Sequence, residues 1–148
     1  MIGLYVLLAG LNGMTMILMA AYGAHGLSGT DAERQALFQT GWQIHAIHCL
    51  FLAMIGLYAC HSRWLHGAFW FGLAGTVFFC VPLYGAALGW WSGGGPVTPV
   101  GGLFLLSAWF SLMPAGISRI RSRSRIAPDP EAACGYHEAT ALTRLRNR

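Results

Sequence analysis

The stretch from Trp64 to Ser118 contains no Asp, Glu, Lys or Arg, and it constrains the fold more than any other part of the chain. As one helix it would measure ~80 Å at ~1.5 Å per residue, more than twice the ~30 Å core of a bilayer. The glycines and proline between Ser92 and Pro96 form the natural break. The stretch therefore predicts two membrane spans, about 65–91 and 98–117.

Two earlier apolar stretches predict two more spans. The segment Gly41–Cys60 is uncharged and long enough to cross the bilayer. The N-terminal stretch 2–24 is too long for a typical signal-peptide core, and no basic residue precedes Arg34, so a retained helix is expected. The chain is thus predicted to be an all-α integral membrane four-helix bundle, with spans at about 2–24, 41–60, 65–91 and 98–117.

The connection between the first two spans is polar. Thr30 and Glu33 have the spacing of a capping box, which predicts a short amphipathic helix from about Asp31. That helix can also continue directly into the second span at Gly41. At the fourth span, Thr98 before a proline predicts an N-cap.

The charge of the chain is concentrated at its C-terminal end. Charged residues are 9% of the sequence, against roughly 25% in soluble domains. Seven of the nine Arg lie in residues 119–148, so we expect a transmembrane domain at 1–118 and a basic, largely disordered cytoplasmic tail at 119–148. With four spans, Arg63 shares a side with this tail, which predicts that both termini are cytoplasmic. Nucleic-acid binding is not expected, because the sequence predicts no folded basic face that could present these Arg side chains.

Small residues recur at helical spacing in the second, third and fourth spans, which predicts close helix contacts. Pro82 is expected to kink the third span. In the first span Asn12 and Thr15 are interpreted as interhelical hydrogen-bond anchors. The predicted helix-packing glycines are Gly72, Gly75, Gly85, Gly89 and Gly101.

Several polar side chains are expected at similar depth in the outer half of the membrane. The predicted cluster consists of His25, His45, His48, Tyr84 and Thr98. Intramembrane histidines can tie helices together, bind a ligand or metal, or handle protons. A metal site built from the three histidines would lack a carboxylate or an aligned thiolate cluster, so neither a metal nor a cofactor is predicted.

No nucleophile elbow, P-loop, paired carboxylates or HExxH motif occurs, so an enzyme is not expected. The first hypothesis is a structural or accessory membrane protein that binds the lipid bilayer, a membrane-protein partner or a second copy of itself. The alternative is a small module that binds or transports a metal, a haem or a quinone-like molecule through the histidine cluster.

Three motifs carry a resemblance to a known family. Ala21–Leu27 resembles a GAFGAHGL segment, Gln43–His48 resembles a polar-His-x-x-His opening of the second span, and Thr98–Gly102 resembles a TPIGG segment. They occur in order in a small inner-membrane family of unknown function that includes bacterial YgdD and eukaryotic transmembrane protein 256. The resemblance implies a four-helix protein of the bacterial inner (plasma) membrane with no known activity. The family's FSGSLY reads Phe79–Tyr84 here, FCVPLY, without its serines.

Overall fold

Helices make up most of the chain that the computed structural model describes, namely residues 2–58, 62–91 and 95–126. Four helical segments are long and apolar enough to cross a membrane, and the fourth is Val97–Ser122. The predicted all-α four-helix membrane bundle is therefore confirmed. The helices are α1 (Ile2–His25), α2 (Ala32–Tyr58), α3 (Arg63–Ala87), α4 (Val97–Phe110) and α5 (Leu112–Ile126).

The chain divides into two compact units, Met1–Ala115 and Gly116–Arg148. In the second unit the described residues, 116–126, belong to α5, and Ser122 Oγ donates to the Ser118 carbonyl at 2.9 Å. Residues 119–126 were predicted as the start of a disordered tail, but they are helical because no Pro or Gly interrupts them. The remainder of the predicted tail, 127–148, lies outside the described residues.

The helix α2 begins before the membrane span and continues through it without a break. Its first turn is capped by Asp31, whose Oδ1 accepts a hydrogen bond from the Arg34 amide at 2.8 Å. The predicted capping box is wrong, because the Thr30 hydroxyl donates instead to the Leu27 carbonyl at 2.9 Å. The short amphipathic helix expected before Gly41 is therefore the first part of α2 and not a separate element.

The end of α3 is set by a glycine. Gly89 has φ +78°, a left-handed conformation that most side chains disfavour. The Trp90 amide donates to the Gly85 carbonyl at 2.9 Å, and the Gly89 amide donates to the Ala86 carbonyl at 3.0 Å. This is a Schellman motif, so α3 ends at Ala87 and not at the predicted residue 91.

Two prolines shape the fourth span. The helix α4 starts at Val97, with Pro96 as its N-cap and no side-chain cap hydrogen bond, so the prediction of Thr98 as the N-cap is wrong. The helix is interrupted at Ser111, one turn after Ser107, whose carbonyl accepts from the Ser111 amide at 3.0 Å. Pro114 accounts for the break, because it has no N–H and its ring crowds the carbonyl four residues earlier.

The helices of the first unit pack in chain order, α1 on α2, α2 on α3 and α3 on α4. Two apolar clusters lie between them. The first cluster contains Tyr5, Ala9, Phe51, Leu52, Ala68, Phe69 and Ala108. The second cluster contains Leu27, Phe38, Cys80, Tyr84 and Ala87.

Three of the five predicted packing glycines lie where helices meet. A Cβ built on Gly72 would lie 3.0 Å from the Phe51 ring of α2, and one on Gly75 would lie 2.8 Å from the Leu105 amide nitrogen of α4. A Cβ on Gly101 would lie 2.6 Å from the Phe78 carbonyl carbon. Backbone therefore meets backbone between α3 and α4, as close packing in lipid requires.

The other two glycines act at the end of α3. Gly85 faces the indole ring of Trp91, which follows the helix, and Gly89 lies beyond the last helical residue. Gly89 also lies beside α2, because a Cβ built on it would be 3.2 Å from Nη1 of Arg34. Two glycines four residues apart occur both in the GxxxG packing motif and at this Schellman helix end. The left-handed φ of Gly89 identifies the helix end here.

The contact between α3 and α4 gives a test with a neighbouring control. Changing Gly101 to Ala should lower the free energy of unfolding by about 1–3 kcal/mol, because the new methyl group must displace the α3 backbone. Changing Gly102 to Ala should have little effect, since its Cβ would lie 3.9 Å from the Phe79 ring. Thermal unfolding of both variants in detergent measures the difference. Equal melting temperatures would contradict the contact.

Candidate functional site

The candidate site is built around His45, which α2 places between α1 and α3 with 4% of its surface exposed. Its Nδ1 lies 3.1 Å from the Tyr84 hydroxyl of α3. Its Nε2 lies 3.3 Å from Oδ1 of Asn12 on α1. One imidazole therefore links three helices, and both of its nitrogens are engaged.

The hydrogen bonds have a direction that follows from the groups involved. The Asn12 Oδ1 can only accept, so His45 Nε2 carries the proton and Nδ1 accepts from the Tyr84 hydroxyl. The Asn12 amide then donates from Nδ2 to Sγ of Cys49 at 3.1 Å. The sequence Tyr84 to His45 to Asn12 to Cys49 is a chain of three hydrogen bonds that contains no charged group.

A groove borders this network between α1 and α3, with a volume of about 290 Å³. We call it the α1–α3 groove. Its rim includes Leu11, Val77 and Val81, each about half exposed, so it opens on the lipid-facing side of the two helices. It is lined by Leu8, Leu11, Asn12, Thr15, Met19, His45, Leu73, Thr76, Val77, Cys80, Val81 and Tyr84. The lining is mostly apolar, and its polar side chains include Asn12, His45 and Tyr84.

The two helices are in contact at one end of the groove. Tyr5 of α1 packs edge-on against Phe69 of α3, with ring centroids 4.7 Å apart, and its hydroxyl forms a hydrogen bond with His66 Nδ1. Along the groove, α1 rests mainly on α2. The groove therefore lies where α1 and α3 separate beyond this contact.

His48 is one turn from His45 but has different partners. Its Nδ1 lies 2.8 Å from the Ile44 carbonyl, and its Nε2 accepts from the Trp109 indole N–H of α4 at 3.2 Å. His48 therefore carries its proton on Nδ1, the opposite tautomer to that of His45. It joins α2 to α4 and does not line the groove.

The remaining two residues of the predicted cluster lie at helix ends. His25 is exposed at the last position of α1, and its carbonyl accepts from Ser28 Oγ at 3.1 Å. Thr98 is half-buried in the first turn of α4. Of the five predicted residues, the structure joins His45 to Tyr84 by a direct hydrogen bond. Across residues 2–58, 62–91 and 95–126, no three His, Cys, Asp or Glu side chains are grouped so as to hold a metal ion.

Two participants were missing from the predicted cluster. Asn12 was expected to bond to another helix, and its position as a strongly polar residue inside the first span was a usable signal. Its partner could not be predicted without the rotation of α1 about its axis. Trp109 gives no such signal, because tryptophan is enriched near the membrane–water interfaces whether or not its indole bonds to another helix.

Comparison with known proteins agrees with this architecture. The model of a family described as "Protein of unknown function (DUF423)" matches residues 19–102. The chain belongs to this family. The matched region contains His25, His45, His48, Tyr84 and Thr98, whereas Asn12 and Trp109 lie outside it.

Several curated relatives are membrane proteins without an assigned activity. The chain is 34% identical over 123 residues to UPF0382 inner membrane protein YgdD of Escherichia coli K12, covering 80% of this chain and 92% of YgdD. It is 28% identical over 117 residues to UPF0382 membrane protein YwdK of Bacillus subtilis, covering 76% and 95%. It is 31% identical over 114 residues to UPF0382 membrane protein SAB0533 of Staphylococcus aureus, covering 76% of this chain and 93% of SAB0533. No solved structure gives a significant match. The predicted family resemblance and the expectation of an integral membrane protein of unknown activity are confirmed.

The network around His45 can be tested by its contribution to stability. Changing His45 to Ala leaves the Asn12 Oδ1 and the Tyr84 hydroxyl without their partner, so we expect a loss of about 1–2 kcal/mol in unfolding free energy. Changing the exposed His25 to Ala is the control and should leave stability unchanged. Thermal unfolding in detergent compares the two. If the His45→Ala protein has the same melting temperature as the wild type, the network does not hold the helices together.

Proposed function

We propose that this protein is a non-enzymatic accessory protein of the bacterial inner membrane, and that it binds a lipid in the α1–α3 groove. The observation that carries the proposal is the groove itself, an apolar recess of about 290 Å³ with hydrogen-bonding groups on its floor. Pockets that bind small molecules have this composition, mostly apolar walls with a few placed polar atoms.

The opening of the groove favours a ligand that arrives from the membrane. Leu11 on α1 and Val77 and Val81 on α3 are exposed at its rim, and they lie inside apolar spans. A molecule dissolved in the hydrocarbon can enter between these side chains without crossing an aqueous phase. A lipid chain is therefore a better fit than a polar metabolite.

The hydrogen bonding of the floor favours binding over catalysis. A general base needs a free lone pair within reach of a substrate proton. Nδ1 of His45 is occupied by the Tyr84 hydroxyl, and Nε2 carries the proton that is donated to Asn12. The imidazole acts as a fixed part of the wall.

Filling the groove tests the proposal. Changing Val77 to Trp puts a large ring at the rim and should abolish lipid retention. Changing Val100 to Trp is the matched control, because Val100 is also 47% exposed but belongs to α4 and does not line the groove. Native mass spectrometry of purified protein, after an extensive detergent wash, counts the retained lipids and identifies them by mass. Equal retention by the two variants, or no retention by the wild type, would contradict lipid binding here.

The proposal includes an orientation with both termini in the cytoplasm. The supporting observation is the positive-inside bias of Arg63 and the Arg-rich tail, set against Arg34, which is paired with Asp31 at 3.2 Å on the opposite side. Green fluorescent protein fused after Arg148 should fluoresce, because it folds in the cytoplasm. Alkaline phosphatase fused after Trp91 should be active, because it requires the periplasm. The reverse pattern would exclude this orientation.

A further inference from the structure

We infer that the ligand of the α1–α3 groove is a lipid-soluble ketone of the isoprenoid-quinone class, whose carbonyl oxygen accepts a hydrogen bond from Asn12. This inference rests on the proposed function, since it names the class of lipid that the groove binds. It concerns binding only and requires no electron transfer.

The first step is a count of hydrogen-bond donors in the groove. The Tyr84 hydroxyl and His45 Nε2 donate within the network. Thr15 and Thr76 donate to carbonyls of their own helices, those of Leu11 at 2.9 Å and Gly72 at 2.8 Å. The Cys80 thiol donates to the Gly41 carbonyl at 3.4 Å. Each of these lining side chains has used its donor.

Asn12 is the exception among the lining side chains. Its amide carries two N–H groups. One donates to Cys49, and no second acceptor for Nδ2 is found in the described parts of the chain. Asn12 lines the apolar groove, where an unsatisfied donor is costly because hydrocarbon accepts no hydrogen bond. A ligand that presents an acceptor oxygen would satisfy it.

The second step concerns depth. Asn12 lies ten residues after Ile2 and thirteen before His25, which places it ~15 Å and ~20 Å from the ends of α1. It is therefore close to the middle of a ~30 Å hydrocarbon core. The ester oxygens of a phospholipid lie at the boundary of that core, and its acyl chains contain no acceptor. A phospholipid can fill the groove but cannot reach Asn12 with an oxygen.

The third step concerns charge and size. A molecule that carries an oxygen to mid-bilayer depth must be uncharged, since burying a charge there is expensive. A quinone ring is neutral, has carbonyl acceptors, and is attached to an apolar tail. The groove volume of about 290 Å³ is near the lower end of small-molecule pockets, which suits one ring with its tail lying along the exposed rim.

The experiment uses decylubiquinone labelled with ¹³C at its ring carbonyls and the full-length protein in lipid nanodiscs. Infrared difference spectra report the carbonyl stretch, which moves to lower wavenumber when the oxygen accepts a hydrogen bond. We expect a shifted band with the wild-type protein. Bound quinone with an unshifted carbonyl band would overturn the inference, whatever the variants do.

Two variants locate the donor. Asn12→Leu removes the N–H and should abolish the shifted band and weaken quinone binding about fivefold to tenfold, the effect of one neutral hydrogen bond. Thr15→Val is the matched control, because Thr15 also lines the groove but its hydroxyl is used within α1. It should keep the band and the affinity. A shifted band that survives in folded Asn12→Leu protein would overturn the inference, and if that variant does not fold, the wild-type spectrum decides.

A ligand without a carbonyl separates this inference from the proposed function. Decylbenzene has the same chain and a ring but no acceptor, so it should bind more weakly than the quinone. If the quinone does not bind while phospholipid is retained by the wild type and lost in Val77→Trp, lipid binding stands and the ketone ligand is wrong. If nothing binds, both are wrong.

Discussion

Hydrocarbon offers no hydrogen-bond partner, and this constraint determines how the helices around His45 meet. An imidazole inside a membrane span must find its partners within the protein, on its own helix or on neighbouring helices. Tyr84 supplies one from α3 and Asn12 supplies the other from α1. These bonds fix the rotation of α2 about its axis, because turning the helix away would leave three polar side chains unsatisfied. Apolar packing alone would specify that rotation weakly, since lipid is as apolar as a leucine side chain.

Glycine contacts determine which helices are held tightly. Gly72 of α3 admits the Phe51 ring of α2, whereas Gly75 of α3 and Gly101 of α4 bring these two helices into close contact. The first helix has no equivalent contact with α3 and is the least buried of the four spans. The α1–α3 groove follows from this difference. It lies beside the helix that is held mainly by α2 and by the Tyr5 contact.

Much of the fold could be predicted because a membrane span depends on composition over about twenty residues. The absence of charge from Trp64 to Ser118 was enough to require two spans. Helix ends depend on one or two residues and were predicted less well. Thr98 has the chemistry of an N-cap, yet α4 starts at Val97 and places Thr98 inside its first turn. Gly89 has the spacing of a packing residue, yet it ends α3 in a left-handed conformation.

The candidate site shows a different limit of the sequence. Depth in the membrane can be estimated from position in a span, and it placed His45 in one group with Tyr84, to which His45 forms a hydrogen bond. The direction of a side chain also requires the rotation of each helix. His45 and His48 lie only about 60° apart around α2, since three residues advance the helix by ~300°, yet one bonds to Tyr84 of α3 and the other to Trp109 of α4. No spacing rule within one helix reveals which neighbouring helix will face each residue.

The two histidines also show how the bundle supplies a hydrogen-bond partner to both nitrogens of an imidazole ring. Each nitrogen that carries a proton faces an oxygen acceptor, Asn12 Oδ1 for His45 and the Ile44 carbonyl for His48. Each bare nitrogen faces a donor, the Tyr84 hydroxyl or the Trp109 indole. The polarity left for a ligand is then a single amide N–H, which can orient a neutral molecule in the membrane but cannot carry out proton transfer on it.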